Sequence, residues 1–433
     1  MSHPSPRSPR ERFVKRLARR SPFSSRQSGL ARRLRSRRLA TGVMFFTNGA
    51  LLGTWVAHIP EVQIALALGE GALGSALVVV PLGSFAIMPV GAWVIRTYGS
   101  RWATICGFLS MSAGVVLVVQ AEVYAALIPA VALLGIGNGL MDVGMNAQGV
   151  IIERLRPGPI MSSLHGLFSV GNVAGAVAAG SLLEAGLLPE YNGPIIAAAL
   201  FVATVPFVFR LVPARSGGES APAPAPVAPE EPAAAYSSAE SGEEASSSVR
   251  GGTTLALVVL SAVAFANLIG EGTMNDWSAV YIRNALGGSA LVASSAYSAF
   301  AFAMAVGRFS GDRVIAAVGR GWVLGGGLAL AGVGLLLATS VNGLVPAFCG
   351  FALAGLGLAN GIPIAFGAGG RLRSVRAGNG IAVVMGAAYA GGLVTPPAVG
   401  FVAEAVGLPL TFAGVGVVLL VAALGSRQLP DEE

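Results

Sequence analysis

Twelve runs of about 20 mainly apolar residues dominate this chain, and a helix of that length crosses the hydrocarbon core of a bilayer. They start near Ala40, Ala72, Trp102, Val123, Ile160, Gly193, Thr254, Ala290, Gly321, Val341, Gly378 and Pro409. Of the 433 residues, 54% are hydrophobic and only 11% are charged, against roughly 25% charged in a soluble domain. A soluble protein of this size could not keep so much apolar surface from water. A soluble enzyme, a disordered chain and a disulfide scaffold are therefore excluded. The expected fold class is an all-α membrane protein with twelve transmembrane helices in two pseudo-symmetric six-helix bundles.

One stretch interrupts the spans. Pro213–Gly252 contains SAPAPAPVAPEEP and SSAESGEEASSS, whose Pro, Ala, Ser and Glu cannot bury a face, so residues 213–252 are expected to be a disordered cytoplasmic linker. It separates an N-terminal bundle (40–212) from a C-terminal one (253–428), followed by a short acidic tail (429–433). Of the 28 basic residues, 13 precede Leu39. Residues 1–39 accordingly read as a flexible basic tail attracted to anionic lipid. No nucleic-acid role is expected, since the tail lacks aromatic interleaving and a folded module.

The remaining basic residues test the span count. With the N-terminus inside, Arg96, Arg101, Arg154, Arg210, Arg308, Arg320, Arg371 and Arg427 and their neighbours fall on the cytoplasmic side, and only Arg283 falls outside. Glu61, Glu70, Glu122, Glu184, Glu190 and Glu404 lie on the outer side. This segregation predicts a multi-pass protein of the plasma (inner) membrane with both termini cytoplasmic. Cys106 and Cys349 sit in apolar runs and read as small buried hydrophobes, with no redox or metal framework.

The halves also repeat. At an offset of 220, Gly135, Gly137, Gly149, Gly166, Gly171 and Gly180 meet Gly355, Gly357, Gly369, Gly386, Gly391 and Gly400, and Glu184 meets Glu404. Parallel six-helix repeats are the mark of a secondary transporter whose halves rock about a central site.

The fourth span carries Gly135, Asn138, Asp142, Asn146, Gly149 and Glu153 on one helical face over about 27 Å. A carboxylate facing lipid at mid-depth costs roughly 2.5–3.5 kcal/mol, so this face must meet protein or a water-filled cavity. The glycines and Asn138 suit close helix packing, whereas Asp142 is a functional candidate. The seventh span offers Asn267, Glu271 and Asn275, with Asp276 and Trp277 beside them. Glu271 has no basic residue within a turn of its own helix and, with Asp142, is a candidate proton carrier. His165, Ser169 and Asn172 share a face of the fifth span, and Asn48 and Trp55 share one of the first. The substrate-binding candidates are thus Asn48, Trp55, Asp142, Asn146, His165, Asn172, Glu271, Asn275, Asp276 and Trp277. For the two tryptophans, the role of interfacial anchor competes with that of a stacking surface, the anchor being slightly favoured.

At the cytoplasmic edge, charge-swapped pairs Arg96–Glu153 and Asp312–Arg373 are candidates for a gate latch. Thr395-Pro396-Pro397 should kink the eleventh span.

GRFSGDR (Gly307–Arg313), with a further Gly-Arg at Gly319–Arg320, resembles the signature loop of the major facilitator superfamily, which joins spans two and three and recurs between eight and nine. The first-half counterpart, IRTYGSR (Ile95–Arg101), keeps the GSR ending and lacks the family's usual aspartate. More narrowly, SSLHGLFSVGNVAG (Ser162–Gly175) and GEGTMNDWSAVYI (Gly270–Ile282) resemble the bacterial branch containing YbjJ-type permeases and the rhizopine permease MosC. That resemblance implies a sugar, polyol or inositol-like substrate.

The residues point to a secondary active transporter of a small polar solute, coupled to protons through the buried acids. No Walker motif provides for direct use of ATP. Sodium coupling is less favoured because no unwound, carbonyl-rich helix is evident. Proton-coupled efflux of drugs or metabolites is the main alternative. A membrane-embedded enzyme is disfavoured by the lack of HExxH, GxSxG or paired catalytic aspartates. No cofactor or metal is expected; the expected partners are the solute, protons and membrane lipid, with the chain acting as a monomer.

Overall fold

In a computed structural model, residues 22–155, 160–213, 247–372 and 377–427 are described, with side chains described from Arg32, Thr254 and Asn379 onward in the first, third and fourth of these segments. Among them, twelve helices are long and apolar enough to cross a membrane. In the first half these are α1 (Pro22–Ala65), α2 (Glu70–Tyr98), α3 (Ser100–Val118), α4 (Tyr124–Arg154), α5 (Met161–Glu184) and α6 (Pro189–Val208). The second half supplies α7 (Ser247–Val280, continued by a π-turn at Tyr281–Ala285), α8 (Ala290–Val318), α9 (Arg320–Ser340), α10 (Leu344–Arg371), α11 (Ala377–Val406) and α12 (Leu408–Ser426). In lipid a helix satisfies its own backbone groups, which is why each apolar run takes this form.

The boundaries differ from expectation at two places. Helix α1 begins at Pro22, so residues 22–39 of the basic tail are helical. Its Leu, Ala and Arg residues are strong helix formers and carry the helix beyond the apolar run. Helix α7 begins at Ser247, inside the expected linker. Residues 1–21, residues 214–246 of the linker and the acidic tail lie outside the described residues.

With six spans per half, the arginine-rich connections share one end of the molecule and the glutamate-bearing ones the other. At the arginine-rich end, α2 joins α3 through Gly99 and α8 joins α9 through Gly319. Both have positive φ (89° and 85°), a conformation that glycine adopts without steric cost.

Within each half, glycine lets backbones touch. A Cβ at Gly49 or Gly53 of α1 would strike the carbonyls of Phe168 and Asn172 on α5, and one at Gly171 or Gly175 would strike those of Phe46 and Ala50 on α1. Small residues at such crossings are how helices associate where lipid removes the hydrophobic drive between them.

The halves meet along α5–α8 and α2–α11. Gly180 abuts Ser294 on the first seam, Gly400 abuts the Glu70 carbonyl on the second, and Phe85 lies 4.9 Å from Tyr389, centroid to centroid. At the acidic end Arg283 of α7 pairs with Glu61 of α1 at 3.2 Å, and Asn284 donates to Gln63 at 2.9 Å. Both α7 residues lie in the π-turn, whose changed twist aims successive side chains at the neighbouring half. The polar links between halves among the described residues lie from mid-depth to this acidic end, which is closed.

Candidate functional site

Asp142 and Glu271, acids deep within their spans, each belong to a polar group on the surface between the halves. Asp142 of α4 is half-buried, and Asn146, one turn on, donates to its Oδ1 at 3.0 Å and to its backbone carbonyl at 2.9 Å. Across the interface Asp142 lies within electrostatic reach of Tyr389 on α11. The i, i+4 spacing that placed them on one face also lets Asn146 hold the carboxylate's orientation.

The second group centres on Arg308. Its Nη2 stands 3.5 Å from Glu271 Oε1, with the two side chains 48% and 23% exposed. Its Nε donates to the Ala359 carbonyl at 3.4 Å. That carbonyl is free because the residue four further on is Pro363, which has no N–H, and α10 is interrupted at Ala359–Asn360, between helical segments Leu344–Leu358 and Gly361–Arg371. Asn360 Nδ2 in turn donates to the Gly307 carbonyl at 3.0 Å, and Asn267 Nδ2 to the Leu358 carbonyl at 3.4 Å. The interruption in α10 thus ties α7 and α8 together beneath Glu271. It also corrects the expectation that no helix is unwound, although protein donors take up two of the carbonyls beside the break.

His165 on α5 lies within electrostatic reach of Arg308, across the interface, and packs edge-on against Phe45 at 5.1 Å. Tyr297 of α8 donates to Asn172 Oδ1 of α5 at 3.0 Å and lies within electrostatic reach of both Glu271 and Asp276. Six sequence candidates therefore gather at the interface: Asp142, Asn146, His165, Asn172, Glu271 and Asp276. Asn275, half-buried, lies on the same stretch of α7.

Several candidates are placed otherwise. Trp55 (4% exposed) and Trp277 (0%) are buried in the protein, so neither is an interfacial anchor. The exposed tryptophans, Trp93, Trp102 and Trp322, lie near the arginine-rich end, where amphipathic rings favour the membrane boundary. Asn48 is buried, and its Nδ2 finds no partner among the described residues. Cys106 and Cys349 are exposed rather than buried; on a lipid-facing surface a weakly polar thiol has the same reason to occur as in a core.

The proposed gate pair Arg96–Glu153 is not among the ion pairs of the described residues. Arg96 is exposed, while Glu153 Oε2 accepts from the Ile160 and Met161 amides at 2.6 and 3.2 Å and so holds the start of α5. Asp312 is exposed, and Arg373 lies outside the described residues. The GRFSGDR segment is not a loop: Gly307–Arg313 lies inside α8, which ends at Val318. Reading it as a connection is what hid Arg308 from the sequence-based site. Its position, ten residues before the end of an apolar helix, was the available signal.

Two apolar grooves on the outer surface, one between α3 and α6 and the other between α5 and α8, lie away from the acids. No group of three or more potential metal ligands occurs among the described residues.

No family model matches the chain. An uncharacterised MFS-type transporter of Yersinia pestis is 30% identical over 397 residues, covering 90% of this chain and 95% of that protein. The chain belongs to the major facilitator superfamily. Membrane protein MosC of Rhizobium meliloti is 29% identical over 420 residues, 96% of each chain. Among solved structures, a variant of the nucleoside transporter NupG superposes with a TM-score of 0.69 at 12% identity, covering 90% of this chain and 99% of that one. A bacterial homologue of the human lysosomal transporter Spinster gives 0.64 at 15%, covering 92% and 98%. This major facilitator is a multi-pass membrane transporter.

Proposed function

We propose that this transporter moves a small polar organic solute of sugar, polyol or inositol-like chemistry across the plasma membrane by alternating access, coupled to protons. The arginine-rich end faces the cytoplasm in this reading, following the general bias of basic residues to that side. The observation that carries it is the meeting of polar side chains from both halves at their interface, with Asp142, Asn146 and His165 on one side and Glu271 and Arg308 on the other. Amide, imidazole and carboxylate groups supply the donors and acceptors that a polyhydroxylated solute needs, and an apolar drug does not.

Protons enter through the acids. Glu271 exchanges its bond to Arg308 for a proton as the halves rock, and Asp142 does the same against Asn146. A carboxylate that must shed a charged partner to be neutralised couples protonation to geometry.

The experiment is uptake into proteoliposomes carrying an imposed pH gradient, preceded by a thermal-shift screen of the purified protein against sugars, polyols and lipophilic cations. Stabilisation by polyhydroxylated compounds, and accumulation of those compounds only with the gradient, are expected. Stabilisation by lipophilic cations alone would replace this reading with efflux, and gradient-independent accumulation would remove the protons.

A further inference from the structure

The two halves repeat at an offset of 220, and the repeat holds in space along both seams. Gly180 at the acidic end of α5 abuts Ser294 of α8, and Gly400 of α11 approaches Gly74 and the Glu70 carbonyl of α2. These are equivalent positions, since 180 and 400, like 294 and 74, differ by 220. One turn beyond each glycine stands a glutamate, Glu184 on α5 and Glu404 on α11.

There the equivalence ends. Helix α8 has its own N-cap: Ser289 accepts from the Val292 amide at 3.4 Å. Its counterpart before α2 is Gly69, which has no side chain and makes no cap. Glu404 fills the gap from the other half. Its Oε2 accepts from the Gly71 amide at 3.0 Å. Gly71 is the second residue of α2, and its N–H is one of the two that an N-cap side chain ordinarily takes. Glu184 and Glu404 are both exposed, but among the described residues only Glu404 accepts a helix N-terminal amide of the other half.

We propose that Glu404 caps α2 in trans and thereby latches the acidic end of the transporter shut. When the halves part at that end, the Gly71 N–H loses the one acceptor it has among the described residues and is left to water, whereas α8 keeps Ser289 throughout. The cap is therefore worth its full amount to the closed arrangement alone, and it acts on the α2–α11 seam but not on α5–α8. A negative charge at a helix N-terminus adds to the effect through the helix dipole. The inference rests on the rocking of the halves proposed above.

The test uses the full chain with Cys106 and Cys349 replaced by serine. Spin labels at Val123→Cys and Val341→Cys, exposed positions at the acidic ends of opposite halves, report the distance distribution in liposomes by pulsed electron resonance. Glu404→Ala is expected to raise the ratio of long to short distances about two- to thirtyfold, the range of a lost N-cap. Glu184→Ala should leave it unchanged. Gly69→Ser, which gives α2 a cap of its own, should also favour the long distance, and Glu404→Ala should then add less than it does in the parent.

Equal responses to Glu404→Ala and Glu184→Ala, or no response to Glu404→Ala in a protein that melts at the parent temperature, would overturn the latch. If Glu404→Ala melts early, the Gly69→Ser arm decides alone. A single distance in every variant would strike the rocking motion itself, which separates failure of that reading from failure of the latch.

Discussion

Arg308 of α8 stands 3.5 Å from Glu271 of α7 and donates to a carbonyl freed by the interruption in α10. Each partner lies in the middle of an apolar helix, so each needs the other more than a surface pair would. Both are also partly solvent-reached, which softens the penalty of parting them. Arg308→Gln should therefore destabilise the transporter by about 1–2 kcal/mol, below the 3–5 kcal/mol of a fully buried pair. Thermal unfolding in detergent measures this. The double variant Arg308→Gln/Glu271→Gln should recover part of the loss, because no unpaired charge remains; a double variant no more stable than Arg308→Gln would mean that the carbonyl contact matters and the ion pair does not.

Much of this architecture was legible in the sequence, because span length and charge segregation are imposed by the bilayer, not by partner helices. The face carrying Asp142 and Asn146 was legible for the same reason: helical spacing alone puts them together. What escaped was set by tertiary contact. Glu271 has no cation within a turn on its own helix, and its partner comes from α8, within a motif that read as a loop. Trp55 and Trp277 have the composition of anchors but sit where the packing of the bundles covers them. The break in α10 follows from Pro363, whose missing N–H and ring leave the Ala359 carbonyl four residues earlier without a bond inside the helix; Arg308 of α8 takes up that carbonyl and Asn360 bonds back to α8, contacts that periodicity does not register.

The glycine crossing between α1 and α5 sets a packing prediction. A Cβ at Gly53 would collide with the Asn172 carbonyl and the Ala176 amide, whereas one at Gly386 would meet nothing within 4 Å. Gly53→Val should cost about 1–3 kcal/mol or more, as overpacking does, and should show as a loss of folded, membrane-inserted protein. Gly386→Ala should be neutral or slightly stabilising, since alanine favours the helix. Comparable yields and melting temperatures for the two variants would contradict the close approach of α1 and α5.

Tyr297 and Asn172 form a hydrogen bond across the α5–α8 seam at 3.0 Å. Tyr297→Phe removes the donor and leaves Asn172 Oδ1 without it, at a cost of about 0.5–1.5 kcal/mol. If the seam stays packed through the cycle, that cost appears as a lower melting temperature with little change in uptake rate. If the bond opens during transport, the rate rises instead, because one state loses an interaction the other never had. Parallel measurement of melting and initial uptake separates these outcomes.

Asp142 gives the sharpest test of coupling. Its carboxylate is oriented by Asn146 and faces Tyr389 of the other half, so it can sense the closing of the interface from a fixed position. Asp142→Asn preserves shape and hydrogen-bonding capacity while removing the titratable proton. Accumulation driven by a pH gradient should fall by an order of magnitude or more, because the solute can no longer draw on the proton gradient. Exchange of labelled for unlabelled solute, which needs rocking but no net proton movement, should persist. Asp142→Glu, which keeps the acid but moves it by one methylene, should retain coupling at a reduced rate, since orientation by Asn146 is disturbed and chemistry is not. Loss of both accumulation and exchange in a correctly folded Asp142→Asn protein would instead assign Asp142 to solute binding, and unchanged accumulation would leave Glu271 as the proton carrier.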